Sequence, residues 1–149
     1  MPVFDRTAAQ EVLTGRTFRC AVSAWANRDL DAVMRTMSDD VVHNLNVDGT
    51  LVPFAASVTG KAALREKLQL MLDTFEFGAF VTEGLKIDGS VARAQIKIIY
   101  IHFGTGERLN VSFRFIVEQR DGLIVRMDEF HDAAYLEAFV RLVSMPRPT

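Results

Sequence analysis

The sequence of 149 residues has the length of one domain, is 49% hydrophobic and 24% charged, and has a net charge of −2. This composition excludes a disordered chain, and the charge gives no reason to expect nucleic acid or a membrane surface as a partner. A single cysteine, Cys20, excludes an internal disulfide, and the apolar stretches are too short to span a membrane. We therefore expect one domain over residues 1–149 and a cytoplasmic location.

The first half of the chain has the periodicity of helices. Apolar residues at positions 18, 21, 22 and 25 share one helix face, and those at 30, 33, 34 and 37 share another after a polar break. The alternating run 41–46 predicts a strand that has His43 on its apolar face. A third helix is predicted to begin at Lys61 and to end near Gly78.

The second half changes to the periodicity of strands. Stretches rich in β-branched and aromatic residues predict four strands, at about 80–87, 91–103, 109–119 and 123–130. Gly-containing turns separate them, so consecutive strands are expected to pair as antiparallel hairpins. Asp132 can cap a last helix, and Pro146 and Pro148 mark a loose tail. Helices segregated from a long antiparallel meander indicate the α+β class, with helices packed on one curved sheet.

Five short motifs occur in an order that resembles the SnoaL-like polyketide cyclase family. They are Asp-Leu-Asp-Ala at 29–32, Asp-Asp-Val-Val at 39–42, Gly-Lys-Ala-Ala-Leu at 60–64, Arg-Asp-Gly-Leu-Ile-Val at 120–125 and Glu-Phe-His-Asp at 129–132. This family shares a cone-shaped α+β fold with ketosteroid isomerase, limonene-epoxide hydrolase, scytalone dehydratase and nuclear transport factor two. The resemblance, from about residue 8 to residue 143, implies N-terminal helices on a curved, mostly antiparallel sheet that encloses a deep pocket.

The resemblance implies that catalytic groups lie on the inward face of this sheet. Glu129 occupies the position at which relatives carry an inward acidic residue for acid-base work, and His131 shares its face. His43 falls where the epoxide hydrolase has a tyrosine. A glutamate and a histidine in an apolar pocket can be tuned for proton transfer, and Tyr100 could donate a hydrogen bond to an enolate oxygen. We therefore predict Glu129, His131, His43 and Tyr100 as catalytic residues.

Strand alternation predicts the walls of the pocket. The predicted ligand-contacting residues, on the first helix and two long strands, are Trp25, Ile96, Ile98, His102, Val111, Phe113 and Phe115. The catalytic Arg and Asp of the epoxide hydrolase would fall on Ile96 and Ile98, and this departure disfavours epoxide hydrolysis by that mechanism.

Structural interpretations of the same residues stay open. Glu129 could pair with Arg126 instead of acting on a ligand, and both histidines could be satisfied wall residues. Two histidines and a glutamate could hold iron or zinc, but the sequence has no local ligand spacing such as His-x-x-Glu. We therefore predict neither a metal nor a cofactor.

The sequence favours one function and leaves others open. The favoured function is a cofactor-independent lyase or isomerase, that is, a cyclase or isomerase acting on a small hydrophobic carbonyl compound. The alternatives are a non-catalytic ligand-binding domain and a dimeric accessory domain. Apolar residues on the outer sheet face predict a homodimer through that face. They are Ile99, Ile101, Phe103 and Ile116, the last beside Arg114.

Overall fold

A computed structural model describes residues 6–145, so the predicted tail at Pro146 and Pro148 lies outside the described residues. The helices are α1 (Arg6–Ala26), α2 (Leu30–Arg35), α3 (Lys61–Thr74) and α4 (Ala133–Ser144), with a short 3-10 helix at Pro53–Ala55. The strands are β1 (Met37–Leu45), β2 (Val58–Thr59), β3 (Phe75–Asp88), β4 (Val91–His102), β5 (Arg108–Arg120) and β6 (Leu123–Phe130). The α+β class is confirmed.

Two element boundaries differ from the prediction. Met37 was expected to end α2, but it begins β1 and pairs with Ile124 of β6. The third helix ends at Thr74 because the next residues, from Phe75, pair with the far end of β4. This apolar and aromatic segment satisfies its backbone in the sheet, and tertiary pairing therefore overrides the helical spacing. The two-residue strand β2 was not predicted.

The six strands form one sheet in the order β2-β1-β6-β5-β4-β3. The three long hairpins are antiparallel as predicted, while β1 lies parallel to β6. Register shifts interrupt the β3–β4, β5–β6 and β1–β6 ladders. Such irregularities bend strands and increase their twist, which is how this open sheet becomes curved.

The parallel pairing of β1 and β6 positions the polar residues of the interior. Leu45 of β1 lies opposite Glu129 of β6, and His43 lies opposite Met127. His43 and Glu129 are therefore two residues apart in register, on neighbouring strands and on the same face of the sheet. His131 follows directly after the end of β6. Helix α3 contacts β1, so its inward face meets the same region.

The N-terminal caps of two helices follow from short polar side chains. The Asp132 carboxylate accepts a hydrogen bond from the Tyr135 backbone N–H at 3.2 Å, which confirms its predicted capping role on α4. Asp29 caps α2 in the same way through the Ala32 N–H. Within residues 6–145, no helix is long and apolar enough to cross a membrane.

Candidate functional site

A cavity of about 120 Å³ lies between the helices and the concave face of the sheet. Its walls are almost entirely apolar and come from all four α-helices, the 3-10 helix and strands β1, β3, β4, β5 and β6. The polar groups in its lining are His43, Lys67, Tyr100, Glu129 and His131, together with the indole of Trp25. Because so few polar side chains line this cavity, their mutual geometry decides what chemistry it can support.

The carboxylate of Glu129 is held by two histidines. His43 Nε2 donates to Oε2, and His131 Nε2 donates to Oε1 at 2.8 Å. An ionised carboxylate can only accept, so both rings present N–H at Nε2. The exposed side-chain fractions are 14% for Glu129, 5% for His43 and 7% for His131. Each carboxylate oxygen therefore has one donor from a largely buried side chain.

Lys67 extends this cluster from the helix side, and the sequence interpretation did not identify it. Its Nζ lies 2.7 Å from His43 Nδ1, and the residue is buried. It lies three residues after Leu64 and four before Met71, inside the apolar stripe of α3. A lysine at such a helical position is the sequence signal that could have revealed it. The cluster is thus a chain of four residues: Lys67, His43, Glu129 and His131.

The cluster lowers the pKa values of Lys67 and Glu129, for different reasons. Burial lowers the pKa of Lys67 from its ordinary 10.5 to about 8, although the negative charge of Glu129 acts in the other direction. Burial alone would raise the pKa of Glu129, but the electrostatic interactions and hydrogen bonds of its carboxylate with His43 and His131 hold it well below its ordinary value. Glu129 is therefore ionised at neutral pH.

Tyr100 lies on the β4 wall of the same cavity, and its hydroxyl stays protonated. Burial raises the pKa of this phenol well above its ordinary value; the charge of Glu129 adds to the shift, while a hydrogen bond with Trp25 opposes it. The ring contacts Phe75 and Phe77 with centroid separations of 5.2 Å each. The fixed, neutral phenol is thus an O–H donor at the cavity wall.

Two contacts of the ring and one of the backbone fix the position of His131. It stacks on Phe113 with centroids 4.4 Å apart and planes at 24°, and its backbone N–H donates to Asn46. Its Nε2 is engaged by Glu129, and Nδ1 is buried with no hydrogen-bond partner in the described part of the chain. Since Nε2 carries the proton, Nδ1 has a free lone pair.

Residues 18–127 match the sequence model of the SnoaL-like domain. The chain belongs to the SnoaL-like domain family. This confirms the resemblance identified from the motifs, and the match covers well over half of the chain. No curated protein matches the sequence.

Several solved structures have the same fold as this SnoaL-like protein. An NTF2-like protein of unknown function from Burkholderia pseudomallei has 15% identity and a TM-score of 0.76, with 89% of this chain and 98% of that chain covered. A provisionally assigned polyketide cyclase from Xanthomonas campestris has 20% identity, a TM-score of 0.69 and coverages of 91% and 99%. An LEH-like epoxide hydrolase from M. tuberculosis has 18% identity, a TM-score of 0.71 and coverages of 89% and 91%. At such identities these structures establish the fold alone.

The SnoaL-like cavity brings together most of the residues singled out from the sequence. The four predicted catalytic residues all line it. The predicted wall residues that also line it are Trp25, Ile96, Ile98, Val111, Phe113 and Phe115. Strand alternation located these side chains because β1, β4, β5 and β6 each turn one face toward the cavity.

Two predicted placements differ from the structure. His102 is outside the cavity lining, since it ends β4 at the turn, where its Nδ1 accepts from the N–H and hydroxyl of Thr105 at 3.2 and 3.0 Å. The alternative ion pair between Arg126 and Glu129 is absent from the described ion pairs. Arg126 instead donates to Asp128 at 2.8 Å on the opposite face of β6.

The cluster is not arranged as a metal site. In the described range 6–145, no group of three or more His, Cys, Asp or Glu residues is placed to hold a metal ion. Both Nε2 atoms that could ligate point at the carboxylate oxygens of Glu129 instead of toward a common centre.

Proposed function

We propose that this SnoaL-like protein is a cofactor-independent enzyme of the cyclase or isomerase type. It acts on a small hydrophobic carbonyl compound by acid-base proton transfer. The observation that carries the proposal is the enclosed Glu129 carboxylate, fixed by two histidines in an apolar cavity that also presents the Tyr100 hydroxyl. A base and a hydrogen-bond donor in the lining of one apolar cavity are what enolisation of a carbonyl compound requires.

The proposed first step is removal of a proton from the carbon next to the carbonyl group. Glu129 accepts this proton, because one N–H on each oxygen leaves the carboxylate with further lone-pair positions. Tyr100 donates to the carbonyl oxygen and stabilises the enolate that forms. Glu129 then returns the proton to another carbon in an isomerisation, or to the new alkoxide in an aldol cyclisation. His43 and His131 keep the carboxylate aligned throughout.

The electrostatics of Glu129 restrict the substrate class. Its lowered pKa makes the carboxylate a weak base, so it is matched to an acidic C–H such as one between two carbonyl groups. The cavity volume sets a second restriction. An apolar cavity of about 150 Å³ binds benzene, so about 120 Å³ fits a ligand with one ring. We propose a monocyclic ketone or diketone as the substrate.

Two features favour this chemistry over the other activities considered. The positions expected to carry the arginine and aspartate of a limonene-type epoxide hydrolase are the buried apolar residues Ile96 and Ile98. A simple binding cavity needs no ionised carboxylate, and burying one is unfavourable unless it is paired. The enclosed position of Glu129 therefore supports catalysis more than ligand storage.

Proton abstraction can be measured without knowing the natural substrate. Methyl 2-oxocyclopentanecarboxylate, a one-ring β-keto ester, exchanges the hydrogen between its two carbonyl groups in D₂O, and proton NMR follows the loss of that signal. We expect the protein to accelerate this exchange and the Glu129→Gln variant to lose about a hundredfold or more of that acceleration, since the amide cannot accept the proton. Tyr100→Phe should reduce the rate as well, through loss of the oxygen donor.

The neighbouring carboxylate provides a matched control. Asp128 lies one residue earlier on β6, faces outward and pairs with Arg126. Asp128→Asn makes the same chemical change outside the cavity and should leave the exchange rate near that of the unmodified protein. If Glu129→Gln and Asp128→Asn exchange the β-keto ester equally fast while both stay folded by circular dichroism, Glu129 is not the base.

We also propose a homodimer formed through the outer sheet face. This face carries Phe103, whose side chain is 57% exposed, and the half-buried residues Ile99, Ile101 and Ile116. Phe130, 50% exposed, lies opposite Arg114 on the same face. Apolar side chains grouped on one surface lose contact with water when a second copy covers them.

A further inference from the structure

The proposed proton transfer does not use Lys67. The chain has four lysines, and Lys67 is the buried one, whereas Lys61, Lys86 and Lys97 are half-buried or exposed. An ammonium group is costly to bury in an apolar cavity unless its surroundings compensate the charge. The groups that face it are the uncharged Nδ1 of His43 and, one residue further along the chain of contacts, Glu129.

Lys67, His43 and Glu129 have the connectivity of an activated nucleophile. Lys67 Nζ lies 2.7 Å from His43 Nδ1, and His43 Nε2 donates to the Glu129 carboxylate. A nucleophile within hydrogen-bond reach of a base, which is itself oriented by a third group, is the arrangement that activates serine, cysteine and lysine side chains. His131 completes it by holding the second oxygen of Glu129.

We propose that Lys67 is a nucleophilic amine that forms an imine with aldehydes or ketones bound in the cavity. Its position in the cavity lining places the amine against the carbonyl compound that the walls would enclose. The low pKa of about 8 supports this, because the fraction of neutral amine near pH 7 is on the order of a hundredfold larger than for an ordinary lysine.

The reaction balances with the groups present. The Lys67 ammonium gives one proton to His43 Nδ1, and the resulting imidazolium stays paired with Glu129. The free amine forms a C–N bond to the carbonyl carbon, and the electron pair of the C=O bond moves to oxygen, which takes up the proton. In the resulting carbinolamine one nitrogen proton passes to the hydroxyl group, which leaves as water while the nitrogen lone pair forms the C=N bond, so the ammonium group and the carbonyl compound give a protonated imine and one water.

An imine at Lys67 would also assist the proposed proton transfer. A protonated imine withdraws electrons more strongly than the carbonyl group that it replaces and so acidifies the neighbouring C–H. A weak base such as Glu129 can then remove that proton. Imine formation and proton abstraction can be measured separately. Imine formation is detected from the mass of the peptide that contains Lys67, and proton abstraction from isotope exchange.

Reductive trapping tests the proposal directly. The full chain is incubated at pH 7.5 with benzaldehyde, a one-ring aldehyde, and sodium cyanoborohydride, which converts an imine to a stable amine. Peptide mass spectrometry then quantifies the benzyl adduct at each lysine. We expect Lys67 to be modified at least about tenfold faster than Lys97, because the lowered pKa of Lys67 increases its fraction of neutral amine. The single tryptophan, Trp25, lines the cavity, and its fluorescence reports entry of the aldehyde.

Substitutions of Lys67, His43 and Lys97 test whether the adduct forms at Lys67 and depends on His43. Lys67→Arg should abolish the adduct at that position, His43→Gln should slow trapping at Lys67, and Lys97→Arg should leave it unchanged. Adducts confined to the exposed lysines overturn the proposal, whether or not the Trp25 signal shows that benzaldehyde has entered. Equal labelling of all four lysines also overturns it. Loss of isotope exchange with trapping intact, or the reverse, identifies which of the two proposals fails.

Discussion

At the scale of single residues, the site is a set of charges that compensate one another. Glu129 carries a negative charge, Lys67 a positive one, and the neutral ring of His43 lies between them. Pairing through a hydrogen-bonded histidine lets both ionised groups stay in an apolar cavity at neutral pH, since neither is left without a partner. The same pairing fixes which nitrogen of His43 carries the proton.

Replacement of Lys67 by methionine is predicted to change how stability depends on pH. Lys67 titrates near 8 in the folded protein and near 10.5 when unfolded. Between these values the unfolded chain binds one more proton, so the free energy of unfolding rises with pH by about 3 kcal/mol across this range through Lys67 alone. Below pH 8 the unfavourable burial of the charge is fully present.

Urea unfolding at pH 8 and pH 10.5 measures this effect. The rise should be about 3 kcal/mol smaller in Lys67→Met than in the unmodified protein. Lys97→Met provides the control, because that side chain is 52% exposed and pairs with Glu83 on the outer face. An equal rise in stability for Lys67→Met and the unmodified protein would show that Lys67 has an ordinary pKa.

Sequence reasoning located the acidic and imidazole groups but not the amine. Glu129, His131 and His43 could be placed because alternation along a strand fixes which face a side chain occupies. Lys67 lies within the apolar stripe of a helix, but a charged side chain at such a position can still reach solvent with its end group. Whether it does so depends on what covers that part of α3, which only the packing of α3 against β1 decides.

At the scale of elements, one arginine connects the α1–α2 turn to the boundary between α3 and β3. Arg28 donates to the carbonyls of Leu72 and Phe75, at 2.7 Å each, and its guanidinium lies 4.6 Å from the centre of the Phe77 ring. Phe77 in turn packs on the rings of Trp25 and Tyr100. Arg28 therefore stabilises the point at which helix α3 becomes strand β3, close to the proposed oxygen donor.

Loss of this contact is predicted to destabilise the fold. Arg28→Ala should lower the free energy of unfolding by about 2 kcal/mol, because two charge-assisted hydrogen bonds to backbone carbonyls are lost. Arg28 has a φ of 57°, so Arg28→Gly loses the same contacts but relaxes the backbone and should cost less than alanine. Chemical denaturation of both variants measures the difference.

The exposed Arg120 provides the control for this prediction, and its replacement by alanine should change stability by no more than about 0.5 kcal/mol. A similar loss in Arg28→Ala and Arg120→Ala would contradict the proposed role of Arg28.

The long strands β4, β5 and β6 were predictable from local pattern and turn residues. The end of α3 was not, because backbone contacts from Arg28 and pairing with β4 determine it.

At the scale of the whole molecule, the curved sheet separates two surfaces with different properties. Its concave face meets the helices and the cavity, and its outer face has mixed apolar and charged side chains. Sequence alternation predicts both faces of β4 at once, since residues 96, 98 and 100 line the cavity and the intervening positions point away. The volume of the cavity was not predictable, because it depends on how far apart the helices and sheet pack.

The outer face is predicted to hold two copies of the chain together in solution. Sedimentation velocity at micromolar concentration should give the mass of a dimer, and Ile101→Glu should shift it to the monomer. This substitution places a charge in the apolar centre of the interface, where it would lose its hydration. Val12, 62% exposed on α1, provides a matched control, since Val12→Glu introduces the same charge on a surface away from the sheet. A monomer for the unmodified chain, or an equal effect of the two substitutions, would refute dimerisation through this face.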